Sequence, residues 1–67
     1  MQGWEKVYET HNLYQAEIIK SILNAEDIEA VIVNKQDSLY LVGEVEVFVL
    51  SDNVVKANTI ISTNENK

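Results

Sequence analysis

Apolar positions open the pattern at Trp4, Val7 and Tyr8 of WEKVYET, residues 4–10, a short run that mixes aromatic with β-branched residues, which suits a strand. Strict alternation puts Val7 on one face and Trp4, Lys6 and Tyr8 on the other. The period then changes. In HNLYQAEIIKSILNAED, Ala16, Ile19, Ile22 and Leu23 recur at helical spacing, with Ile18 widening the stripe. Glu17, Lys20, Ser21 and Asn24 collect on the opposite side. Asn12 is placed to cap this helix, with Gln15 where a capping box requires it. The helix should end near Glu26 or Asp27, with no glycine to mark the stop.

IEAVIVN, residues 28–34, is apolar on both alternations and reads as a strand covered on both faces. KQDSLYLVG is a connection, and EVEVFVL after it is the clearest strand of the chain. There Val45, Val47 and Val49 share one face, and Glu44, Glu46, Phe48 and Leu50 the other. SDNVVKANTIIST returns to helical spacing through Val54, Ala57, Ile60 and Ile61, with Ser51 or Asp52 able to cap its start. NENK is a polar tail expected to fray, leaving an ordered core of about residues 4–62 in a single domain.

The order β-α-β-β-α, with a right-handed crossover through the first helix, leaves the first two strands parallel. The third strand can slot between them, antiparallel to both, giving a three-stranded sheet of order 1-3-2 with two helices on one face. This α+β fold is a ferredoxin-like half-sandwich without its last strand. It leaves the first strand as a bare edge. It also leaves a sheet face carrying Trp4, Tyr8 and Phe48, a candidate oligomer face. A homo-oligomer is expected, most simply a two-fold dimer, with an inward-facing trimer as the rival.

Composition narrows the partners. The 67 residues carry eleven acids against five lysines, a formal charge of −6, and no arginine. Guanidinium forks are the usual tool for gripping phosphates and guanine edges, and an acidic field repels polyanions and anionic lipid alike. Stacking of bases on Trp4, Tyr8 and Phe48 would lack the positive charge that such faces bring to the backbone. Neither nucleic acid nor membrane is expected as a partner. No apolar run approaches the roughly 20 residues of a membrane helix, and the N-terminal stretch does not read as a signal peptide. With no cysteine, disulfides and thiolate zinc sites are excluded, which fits a cytoplasmic location. No cofactor or metal is expected.

The candidate chemistry is sparse. His11 is the only histidine and could join Asp37 and Ser38 in a hydrolytic constellation, although no nucleophile elbow or oxyanion loop accompanies it. Its bland role is to flank the first helix. Glu44 and Glu46 alternate along a strand and so share a face, as metal or acid–base work requires. The plainer reading is a face kept soluble by charge, and it applies to Glu5 and Glu9 as well. The connection is the stronger candidate. Asp37 and Ser38 can make a side-chain-to-backbone turn, and Gly43 suits a positive φ or a bulge. Leu39, Tyr40 and Leu41 form either a plug for one end of the core or a recognition element.

One resemblance adds to this. Val7-Tyr8, Ala16-Glu17, Leu23 with Ile28, Asp37-Ser38, Tyr40, Gly43 and Ala57 resemble the pattern of a family of short bacterial domains of unknown function. The family is labelled "putative prokaryotic signal-transducing protein", and the likeness runs from about Trp4 to Ile61. It implies a ferredoxin-like, PII-regulator-like fold, and it supplies no catalytic residues and no ligand. The expectation is a non-enzymatic regulatory or protein-interaction domain. It would engage a protein or small effector through residues 37–43 or the open sheet face. A small hydrolase or metal-dependent enzyme using His11 and nearby acids is the alternative from another class.

Overall fold

The computed structural model describes residues 2–37, 39 and 42–65. Strand β1 is Trp4–Thr10, helix α1 Leu13–Ala25, strand β2 Ala30–Asn34 and strand β3 Val45–Leu50; a single 3-10 turn, Ser51–Asn53, leads into helix α2, Val54–Glu65. The strands form one antiparallel sheet in the order β1-β3-β2. This is the ferredoxin-like β-α-β-β-α arrangement that the patterning predicts.

The core lies between the sheet and the helices. Val45, Val47 and Val49 are fully buried on one face of β3, against Ala16, Ile19 and Leu23 of α1 and Ala57 and Ile61 of α2. Because β3 is central, these side chains have strand neighbours on both sides: Val47 lies opposite Tyr8 of β1 and opposite Ile32 of β2.

Strict alternation fails at one place in β1. The register with β3 runs Trp4–Leu50, Glu5–Val49, Lys6–Phe48, then shifts so that Tyr8 opposes Val47. A bulge at Val7 accounts for the extra residue, and everything after it changes face. Tyr8 therefore joins Val7 against the core instead of standing beside Trp4 and Phe48 on the outer face. Glu9, opposite Glu46, takes the outer position instead.

Asn12 caps α1, its Oδ1 accepting from the backbone N–H of Tyr14 (2.9 Å) and Gln15 (3.3 Å). The reciprocal half of a capping box is supplied from behind. The Asn12 N–H donates to Oγ1 of Thr10, at 3.2 Å, so Gln15 is not needed there. At the other end Asp27 takes the left-handed conformation, φ 63°, that glycine usually fills. The N–H groups of Ile28 and Asp27 donate to the carbonyls of Leu23 and Asn24, both at 3.0 Å, and close a Schellman motif over the buried pair Leu23 and Ile28. α2 starts from the 3-10 turn without a side-chain cap at the turn's start and runs through Asn64 and Glu65, further than the polar tail suggested. Thr59, Thr63 and Asn64 each bond back to the carbonyl of the preceding turn, at 2.9–3.1 Å, so these polar residues remain helical.

Asp27 holds a backbone shape that costs an L-residue energy and glycine nothing, so Asp27→Gly should raise stability by about 0.5–1 kcal/mol. Urea unfolding monitored by circular dichroism measures this. An unchanged or lowered midpoint would contradict the role assigned to the Schellman turn.

Candidate functional site

The connection between β2 and β3 is built by backbone bonds. Lys35 N–H donates to the Glu44 carbonyl at 2.9 Å and Asp37 N–H to the Val42 carbonyl at 2.8 Å, so the two strands continue as a narrow ladder beyond the sheet. Asn34 Oδ1 accepts from Gln36 N–H (2.9 Å) and Asp37 Oδ1 from Leu39 N–H (2.7 Å), the second starting the turn that its residue type invites. Gly43 sits at φ 119°, and a Cβ there would lie 2.5 Å from the Lys35 carbonyl oxygen. No other residue fits without moving backbone.

This ladder is tied to the start of α1. His11 Nδ1 lies 3.2 Å from the Gly43 carbonyl oxygen, an acceptor, so the proton is on Nδ1. The His11 carbonyl in turn accepts from Gln36 Nε2 at 2.5 Å. His11 thus braces the loop with its ring and its backbone together. That is a positioning task, and it places the ring's Nδ1 on a carbonyl instead of on a carboxylate.

Leu39 and Val42, the apolar residues described in the loop, do not plug the core. Leu39 is 82% exposed and Val42 68%. The plug reading fails for Leu39 because the ladder continues beyond the sheet and the turn at Asp37 leaves the Leu39 side chain in solvent. Ser38, Tyr40 and Leu41 lie outside the described residues. Two more apolar side chains, Leu13 and Tyr14, stand exposed in the first turn of α1, next to the His11 brace.

The outer sheet face divides into two ends. Trp4, Phe48, Val31 and Val33 are half-buried, with Leu50 exposed beside them. The other end is ionic. Glu46, on the central strand, is buried to 5% exposure between two lysines, with Lys35 Nζ at 3.1 Å and Lys6 Nζ at 3.3 Å; Lys6 also reaches Glu9 at 2.6 Å. Glu44 completes an acidic group, in which one oxygen each from Glu9, Glu44 and Glu46 lie within 4.8 Å of one another. Such oxygens suit a hard cation by type. Here the lysine ammoniums supply the positive charge, and Lys6 bridges two of the three carboxylates. The strand alternation brings Glu44 and Glu46 close as the sequence suggests. Lys6, Lys35 and the relocated Glu9 were not foreseeable without the bulge and the sheet order.

These pairs move protonation. The hydrogen bond from Lys35, then that from Lys6, holds the Glu46 carboxyl below the usual carboxylate range, against the opposing effect of burial. The hydrogen bond from Lys6 does the same for Glu9, and Glu9 and Glu46 together raise Lys6.

A groove of about 400 Å3 runs between the helices, over Ile22, Ala25 and Ile60. Its threonine hydroxyls and one Asn64 amide N–H donate to carbonyls of their own helix. A ligand site needs a few directed polar groups, and the hydroxyl protons that this groove could donate are turned to its own helix. No helix among the described residues is long and apolar enough to cross a membrane.

The fold defines a small α+β domain of the ferredoxin-like class, with a connection that is braced by His11 and that exposes Leu39 and Val42. The chain belongs to the family described as "Putative prokaryotic signal transducing protein", whose model matches residues 4–65. No curated protein and no solved structure matches it.

The ionic end sets a pH dependence. Glu46 and Glu9 have folded values below the ordinary 4.5, so their contribution is present above that pH and is lost as pH falls through the depressed values. Lys6 has a folded value above the ordinary 10.5, so its contribution holds below that pH and is lost as pH rises through the raised value. Thermal melts should therefore plateau between about pH 5 and pH 10 and fall on either side. Glu46→Gln should make the acid limb shallower. Identical acid limbs in the two proteins would show that the lysine bracket carries no stability.

Proposed function

We propose that this is a non-enzymatic, self-associating interaction domain of bacterial signalling, working in the cytoplasm and engaging a protein partner through the tip of the 37–43 connection. One observation carries the reading: Leu39 and Val42 are held out in solvent, while the backbone beneath them is fixed by the ladder, Gly43 and the His11 brace. Exposed apolar side chains on a rigid support lose little entropy on binding, which is how loops on a scaffold become recognition elements. Leu13 and Tyr14 extend the apolar surface from the adjoining helix turn. Family membership supports the signalling setting, and the prokaryotic label with the absence of cysteine supports the compartment.

The double substitution Leu39→Asp/Val42→Asp tests it. Both side chains are exposed, so folding stability should stay within about 0.5 kcal/mol. In cross-linking capture from bacterial lysate, a protein retained by the wild-type bait should be lost from the variant bait. Capture of the same proteins by both baits, or a variant that melts well below wild type, would count against the loop as a recognition element.

A further inference from the structure

Among the described residues the sheet has two free edges, and they are unlike. The β1 edge carries Glu5, Lys6 and Glu9 and is broken by the bulge at Val7, features that discourage another strand from adding. The β2 edge, AVIVN, has no charge, no proline and no bulge, and among the described residues it pairs with β3 alone. We propose that β2 is the joint of a two-fold dimer, in which β2 of one copy pairs antiparallel with β2 of a second copy and the sheet continues through both. This rests on the self-association stated above and gives it an edge and a register.

The register follows from the backbone. Lys35 and Asp37 direct their N–H groups at the ladder partners of β3's side, at 2.9 and 2.8 Å. Strand N–H groups alternate in direction, so Val31 and Val33 also bond inward to β3, while Ala30, Ile32 and Asn34 direct N–H and C=O at the free edge. An added antiparallel strand must match outward residues with outward residues. Centring the two-fold on Ile32 does so: Ile32 meets Ile32 of the second copy, and Ala30 meets its Asn34.

Charge selects this register from its neighbours. With Ile32 on the axis, Glu29 of each copy stands opposite Lys35 of the other, on the outer face, closing both ends with opposite charges. Moving the axis to Val33 would set Glu29 against Asp37, and moving it to Val31 would leave Glu29 against Val33 and bring Lys35 only to Asp27, which lies in the left-handed turn after α1 and outside the strand. Glu29 and Lys35 are both exposed, and the Lys35 ammonium, which spends one donor on Glu46 at 3.1 Å, has two more to offer Glu29. Val31 then packs beside Val33 of the second copy and joins the apolar ends of the two outer faces.

Two measurements on the full chain test this. Sedimentation equilibrium of the wild type should show reversible dimerisation at high micromolar concentration. Ile32→Pro removes an N–H that β3 does not use and should leave a folded monomer. Glu29→Lys should weaken the dimer on the order of tenfold, while Glu5→Lys, the same charge change on the β1 edge, should not. Amide exchange of the wild type gives a readout free of substitution. Ala30, Ile32 and Asn34 should become protected as concentration rises, with Val31 and Val33 protected throughout. Association with those three amides exchanging freely, or with Glu5→Lys as damaging as Glu29→Lys, would overturn the β2 joint and leave self-association standing. A wild type that stays monomeric would overturn both.

Discussion

The rest of the structure hangs on the valine alternation of β3. Val45, Val47 and Val49 are fully buried, and β3 is hydrogen-bonded to a strand on each side, so this segment cannot shift by one residue without turning its valines into water. Each buried valine contributes roughly 1.5–2 kcal/mol of apolar transfer. The constraint fixes the helices on one face and hands the other face to Glu46, Phe48 and Leu50. It also determines where the preceding connection must leave the sheet. Lys35 and Glu44 inherit their pairing from the β2–β3 register, and Gly43 absorbs the twist at the point where the chain returns.

With the core complete between one sheet face and two helices, the remaining apolar side chains are outside it. Among the described residues most gather in two places, the loop end with Leu39, Val42, Leu13 and Tyr14, and the outer face with Trp4, Phe48, Val31 and Val33, while Val55 stands exposed on α2. The fold thus separates its holding parts from its contact surfaces. The ionic group around Glu46 keeps half of the outer face closed, because a carboxylate buried on an open sheet is tolerable only when its hydrogen-bond partners come with it. Lys6 and Lys35 lie over it from the two flanking strands, their ammonium ends still reaching solvent.

Much of this was legible in the chain. Periodicity located the elements, and crossover handedness with strand order placed β3 in the middle. Asn12 and Gly43 took the capping and positive-φ roles that their chemistry suggests. Three features were hidden, each for a physical reason. The bulge at Val7 left a trace in the adjacent apolar pair Val7-Tyr8, but strict alternation over WEKVYET reads through it, and it moved Tyr8 from the outer face to the core side. Asp27 as a left-handed stop competes with the rule that glycine ends helices. The exposure of Leu39 runs against hydrophobicity itself, and only the ladder geometry below it reveals the direction of the turn. Glu44 and Glu46 illustrate the limit of motif reading: their proximity was readable, but the lysines that neutralise the group come from a bulged strand and a strand end.

The central claim is that the fold is complete without its connection, which is therefore free to serve as a contact element. Alanine truncation at Leu39, Val42 and Val47, followed by urea unfolding of each variant, tests this most directly. Val47→Ala should cost about 2–3 kcal/mol, because it empties fully buried space at the centre of the sheet. Leu39→Ala and Val42→Ala should each stay within about 0.5 kcal/mol of the wild type. Loop truncations as costly as Val47→Ala would contradict the account, since the loop would then be part of the core and not a surface held apart from it.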